Sequence, residues 1–136
     1  MKWEEENLQI RCVKYLTYRY SHLVWHHSPN EAKRTRVQAG YEKQCGMRPG
    51  WPDLEILDKD KIVFVEFKAP KVGRQSPEQK KVQALLEELG YTYRIIRTYE
   101  EFTEFCHRQF GEERDPDLER LREILGSLRP GRDRKK

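Results

Sequence analysis

The sequence predicts a single α/β domain, a central mixed β-sheet flanked by helices. Three observations carry that expectation. Residues 53–57 and 62–68 are short, apolar-rich and strand-like, separated by the polar turn Asp58-Lys59-Asp60-Lys61, which is the pattern of a hairpin. A helix opening at Ser76 and a further strand over residues 91–97 follow, and strand–helix–strand order implies a right-handed parallel crossover. Amphipathic stretches on either side of this centre supply the helices that cover the sheet.

The elements follow in order. Residues 4–20 read as a helix, because Leu8, Cys12, Val13, Tyr15, Leu16 and Tyr20 share one broad face at 100° per residue. Residues 23–26 read as a short strand, 27–30 as a turn and 31–44 as a weaker, basic helix. Gly46, Pro49, Gly50 and Pro52 mark a loop. Ser76 is the expected N-cap of the next helix, with Pro77 at its first position and Gln79 completing a capping box. Val82, Leu85, Leu86 and Leu89 give that helix its apolar stripe, and Gly90 closes it. Thr98-Tyr99-Glu100-Glu101 repeats the capping pattern before a helix carrying Phe102, Phe105 and Cys106. Beyond Gly111 the pattern weakens. Residues 115–128 are expected to form one more helix and 129–136 a flexible basic tail, so residues 1–110 make the domain and 111–136 an appendage.

Composition narrows the class. The chain has 136 residues, enough for one domain, with 37% charged and 36% hydrophobic residues. Its mean hydropathy is −1.01, yet seven Tyr, five Phe and three Trp argue against disorder throughout. No apolar run approaches the ~20 residues of a membrane span, and Met1 to Glu6 carry no apolar signal stretch. Cys12, Cys45 and Cys106 are odd in number and widely spaced, which argues against a disulfide framework or a thiolate zinc site and for a reducing cytoplasm. The net charge of +4 is compatible with nucleic acid without requiring it. Basic residues cluster at Lys33, Arg34 and Arg36, at Lys68, Lys71 and Arg74, and over residues 129–136.

The hairpin register locates the chemistry. With a two- or four-residue tip, residues whose numbers sum to 119 lie opposite each other, so Asp53 faces Glu66. Opposed residues share a face, with Cβ atoms about 4.5–5.5 Å apart. Alternation puts Lys68 on that same face, while Leu54, Ile56, Val63, Val65 and Phe67 occupy the other and pack on the core. Two carboxylates so close on a buried sheet repel and are costly to desolvate. Protonation of one, Lys68 alone, or a hard divalent cation would relieve that. Mg²⁺ suits one or two carboxylates, retained waters and phosphate oxygens, and Lys68 beside it could steady phosphate charge or orient water.

Pro52-Asp53 followed by Glu66-Phe67-Lys68 resembles the PD-(D/E)xK nuclease signature. Gly50-Trp51-Pro52-Asp53-Leu54, Val63 through Pro70, Ser76-Pro77-Glu78-Gln79 and Leu89-Gly90-Tyr91 together resemble its VRR-NUC branch, common in phage and prophage genomes. The similarity spans about residues 4–105. It implies a restriction-endonuclease-like core, with residues 1–110 as the nuclease domain. It also implies Asp53, Glu66 and the Phe67 carbonyl as metal ligands, Lys68 as the catalytic lysine, and Mg²⁺, with Mn²⁺ as a substitute, as cofactor. Such proteins use an acidic residue on the first helix. Among Glu4, Glu5 and Glu6, Glu5 lies about 60° from Leu8 on the wheel, inside the apolar arc, and Gln9 one turn on could hold it. The resemblance also assigns a catalytic place to Gln79, for which a capping box is an equal explanation. It puts Asn30, Lys33 and Arg34 beside the site as phosphate contacts, and Lys71 is expected to join them.

His26 and His27 could serve as metal ligands or a base but, beside a Pro-Asn turn, are expected at a surface. Trp25 and Trp51 are expected to pack, and Glu55 to share the active face without a role. Two hypotheses follow. The first is a Mg²⁺-dependent endonuclease on DNA, with branched substrates such as four-way junctions included, working as a homodimer in the cytoplasm of a bacterium or phage-infected host. The second is a non-catalytic nucleic-acid-binding module that keeps the fold, against which the intact Asp53, Glu66 and Lys68 argue.

Overall fold

A computed structural model describes residues 2–29 and 35–128. In chain order the elements are α1 (Lys2–Arg19), β1 (Val24–His27), α2 (Arg36–Gln44), β2 (Leu54–Asp58), β3 (Lys61–Phe67), α3 (Pro77–Glu88), β4 (Thr92–Ile96), α4 (Tyr99–Phe110) and α5 (Pro116–Ser127). The four strands form one sheet in the order β1-β2-β3-β4. β1–β2 and β2–β3 pair antiparallel, and β3–β4 pair parallel. The mixture has a local cause: β2 and β3 are joined by a two-residue tip that reverses the chain, whereas β4 is reached through α3, long enough to cross the sheet.

Strand alternation divides the sheet into two faces. Leu54, Ile56, Val63, Val65, Phe67 and Ile96 point to one side and pack with Cys12, Tyr15 and Leu16 of α1 and Phe102, Phe105 and Cys106 of α4. Phe64 and Tyr93 point to the other and pack with Val82 and Leu86 of α3, with Trp51 against the same cluster. The molecule is therefore three layers, α1 and α4, the sheet, and α3. The hairpin register is Leu54↔Val65, Ile56↔Val63 and Asp58↔Lys61, the sum of 119 expected from the sequence.

Several boundaries differ from the sequence reading. The basic helix was expected from residue 31; α2 starts at Arg36, because Thr35 has extended backbone and its hydroxyl accepts from Gln38 N in a capping box. Residues 30–34 lie outside the described residues. The first strand runs one residue later than expected. Leu23 is buried and its N–H still bonds Tyr20 O in the turn leaving α1, and His27 is not in a turn but pairs with Leu54. The expected tail, residues 129–136, lies outside the described residues. α5 is present, capped by the Asp115 carboxylate accepting from Asp117 N and Leu118 N, and none of its residues is buried. The segment before it is tied to α1: Tyr20 Oη donates to Gly111 O, Tyr15 Oη to Glu113 Oε2, and Arg114 N to Arg19 O.

Candidate functional site

The two central strands deliver their chemistry at one end of the sheet. Asp53, just before β2, turns its carboxylate onto the next strand, where Oδ2 accepts from Phe67 N at 2.8 Å. That bond replaces the ladder partner β2 no longer supplies. A strand residue directs its N–H and C=O to the same edge, so the Phe67 carbonyl lies on the edge that Asp53 occupies. Glu66 is fully buried. Its Oε1 accepts from Tyr93 Oη at 3.3 Å, and its Oε2 stands 3.4 Å from the Lys68 ammonium, which is itself buried. Oε2 makes no hydrogen bond, and among the described residues it is the one buried side-chain polar atom left without one.

The electrostatics follow from this crowding. Burial and then the Asp53 charge push Glu66 up to about 8, with Lys68 pulling it back. Burial also raises Asp53, opposed by the Phe67 N–H and by Lys68. Burial and the Glu66 charge raise Tyr93, which therefore stays a phenol and a donor. One ammonium thus stands beside two carboxylates, one of which keeps an oxygen with an open coordination position. Desolvated oxygen donors of this kind suit a hard divalent cation. No three His, Cys, Asp or Glu side chains converge among the described residues. A cation here would be held by two carboxylates and the Phe67 carbonyl, with the remaining positions left to water or substrate.

Glu5 reaches this corner from α1, its Oε1 accepting from Ala69 N at 3.3 Å directly after Lys68. Gln9, which the wheel placed to hold Glu5, instead has its Nε2 2.8 Å from His27 Nδ1. The expected surface role for His27 is also incomplete. Its ring is exposed, but Nδ1 lies 2.8 Å from Asp53 O, which also accepts from Ser28 N. Gln9 Nε2 and Asp53 O thus flank the same ring nitrogen. The contact follows from the sheet: with β1 paired antiparallel to β2, its last residue lies beside the Asp53–Leu54 peptide. His26 is exposed opposite Glu55, and Glu55 accepts from Trp51 Nε1 at 2.8 Å. Trp51 also packs edge-on against Phe64, and Trp25 packs on the main core.

Gln79 completes the cap of α3. Its Oε1 accepts from Ser76 N at 2.8 Å while Gln79 N donates to Ser76 Oγ. The start of α3 is also where the loop bearing Asp53 docks: a Cβ on Gly50, whose φ is +81°, would lie 2.5 Å from the Glu78 carbonyl carbon. Sequence reasoning missed Arg97. From the end of β4 its Nη1 donates to Ala69 O at 2.9 Å and to Gly73 O at 2.7 Å, bracing the loop that follows Lys68. Lys71 is exposed on that loop. Asn30, Lys33 and Arg34 lie outside the described residues.

Comparison with known proteins agrees with this architecture. A solved structure named "VRR_NUC domain protein" superposes with a TM-score of 0.61 at 19% identity, covering 81% of this chain and 95% of its own. A second, named "VRR_NUC domain", gives 0.56 at 16% identity, covering 79% of this chain and 97% of its own. No protein-family model matches the sequence, and no curated protein matches it. The chain has the fold of the VRR_NUC domain, a single α/β unit around a four-stranded mixed sheet.

Proposed function

We propose that this protein is a divalent-metal-dependent endonuclease that hydrolyses DNA phosphodiester bonds. The observation that carries the reading is Glu66 Oε2, a buried carboxylate oxygen with no hydrogen bond, beside Asp53 and the Lys68 ammonium. Asp53, Glu66 and the Phe67 carbonyl would hold Mg²⁺, with Mn²⁺ as a substitute. The ion when bound would activate water and neutralise phosphate charge. Lys68, 3.4 Å from Glu66 Oε2, would direct its ammonium at the non-bridging oxygens and stabilise the charge that builds there. Glu5 and Arg97 fix the backbone on which Lys68 sits, and His27 fixes the carbonyl of Asp53. The likeness to structures named VRR_NUC supports the same reading. Lys71, Lys33, Arg34 and Asn30 are the proposed phosphate contacts, with Gln79 at the edge of the site.

The test is cleavage of end-labelled four-way junction, flap and linear duplex DNA, each with Mg²⁺, Mn²⁺ or EDTA. Wild type should cut only with metal, and Lys68→Ala should lose about 10²–10³-fold in rate. The preferred substrate identifies whether branched DNA is the target. Binding without cutting, indifferent to metal, would instead identify a nucleic-acid-binding module.

A further inference from the structure

We infer that Tyr93 is the positioning residue for Glu66, and that Gln75 and Gln83 set its hydroxyl from α3. The inference rests on the metal-dependent reading above and adds to it residues that do not themselves touch the ion. The two oxygens of Glu66 differ in their surroundings. Oε1 accepts from Tyr93 Oη at 3.3 Å, while Oε2 has no hydrogen bond. A ligating carboxylate is oriented by the group that bonds it from behind. Here that group is a phenol, and it leaves Oε2 as the oxygen offered to a cation.

Two elements build the tether. Across the parallel pair β3–β4, Phe64 stands opposite Tyr93 and Glu66 opposite Ile95. Alternation therefore puts Tyr93 and Glu66 on one face of the sheet, two positions apart, where a long side chain with a polar tip reaches. The Tyr93 ring is buried with Phe64, Val82 and Leu86. Its hydroxyl is set by Gln75, the residue before the Ser76 cap. Gln75 Nε2 donates to Tyr93 Oη at 3.3 Å and to Gln83 Oε1 at 2.9 Å. An amide nitrogen carries two hydrogens, and these two acceptors use both. Gln83 Nε2 then donates to Glu87 Oε2, one turn along α3, at 3.3 Å.

A carboxylate stands at each end of this chain of bonds, and a carboxylate holding a cation only accepts. The sense of every bond between the ends follows. Gln83 turns its nitrogen to Glu87, so its oxygen faces Gln75. Gln75 then presents its nitrogen to Tyr93. Tyr93 Oη accepts there, and its single proton goes to Glu66. Packing in the cluster needs only the ring of Tyr93, so Tyr93→Phe separates the tether from the packing.

Titration calorimetry of the full chain with Mn²⁺, in the absence of DNA, reads the tether without turnover. Tyr93→Phe should bind Mn²⁺ about 10–100-fold more weakly than wild type, with an unchanged circular dichroism spectrum. Gln75→Met, similar in length but without an amide, should weaken binding in the same direction. Because Gln75 acts through the hydroxyl, Tyr93→Phe/Gln75→Met should bind no more weakly than Tyr93→Phe alone. The rise in melting temperature caused by Mn²⁺ should shrink in parallel. A purely structural role would lower the metal-free melting temperature and leave Mn²⁺ affinity as in wild type. That result, or additive losses in the double variant, would overturn the inference while the metal reading stands. A wild type with no Mn²⁺ binding would overturn the metal reading itself and the inference with it.

Discussion

Glu66 is fully buried in the sheet beside Tyr93, with one ammonium to offset two carboxylates. Its proton is held up to about 8 against an ordinary 4.5, so the folded chain binds more protons than the unfolded one over that interval. The stability this carboxyl contributes is fully present below about pH 4.5 and is lost as pH rises through about 8. Asp53, raised by the same burial, acts in the same direction. His22, whose pKa burial lowers, acts in the opposite one. In metal-free buffer the Glu66→Gln variant should therefore gain melting temperature relative to wild type between about pH 5 and 8. Parallel profiles for the two proteins would show that Glu66 is not the titrating group. At this scale the sequence was informative wherever strand alternation governs direction: Asp53, Glu66 and Lys68 share a corner as the register required. Glu5 was accessible from the helical wheel. His27 was not, because its partner is a backbone carbonyl 26 residues away.

At the scale of elements, the start of α3 and the loop before β2 depend on each other. Ser76 and Gln79 close the helix end reciprocally, and Gly50 lets the loop lie against the backbone of Glu78 and Gln79. Gly50→Ala would force a side chain onto a φ of +81° and into that backbone. The φ cost alone is about 1–3 kcal/mol, so the denaturant midpoint should fall accordingly, and Asp53 should shift with the loop. A midpoint equal to wild type would mean that the loop does not dock as described. The capping boxes of α3 and α4 were legible because each is a four-residue rule. The start of α2 was missed although Thr35 and Gln38 obey that same rule, since a run of basic residues before them resembled helix.

For the whole molecule, the face of the sheet opposite the carboxylates is what keeps the site in place. Phe102 is fully buried between Tyr15 of α1 and Phe67 of β3, 6.2 Å and 6.0 Å away between ring centroids. Phe102→Ala should cost about 3–5 kcal/mol. Because Phe67 precedes Lys68 and its N–H holds Asp53, the loss should be measurable both as a lower melting temperature and as reduced activity of the protein that remains folded. A loss under about 1 kcal/mol would show that the layer can collapse around the gap. No described helix is long and apolar enough to cross a membrane.

The sequence by itself determined the order of elements, the hairpin register and the identity of the three groups at the sheet end. Those features follow from rules of short range: alternation along a strand, periodicity along a helix, and side chains that close a helix terminus. Tertiary structure alone decided which distant backbone groups hold the site. Arg97 braces Ala69 and Gly73, His27 meets Asp53, and Glu66 Oε2 is left open, because each depends on where the ends of separate strands come to rest. The same is true of α5. Its leucine spacing is in the sequence, but only the packed molecule shows that nothing within the described chain covers it.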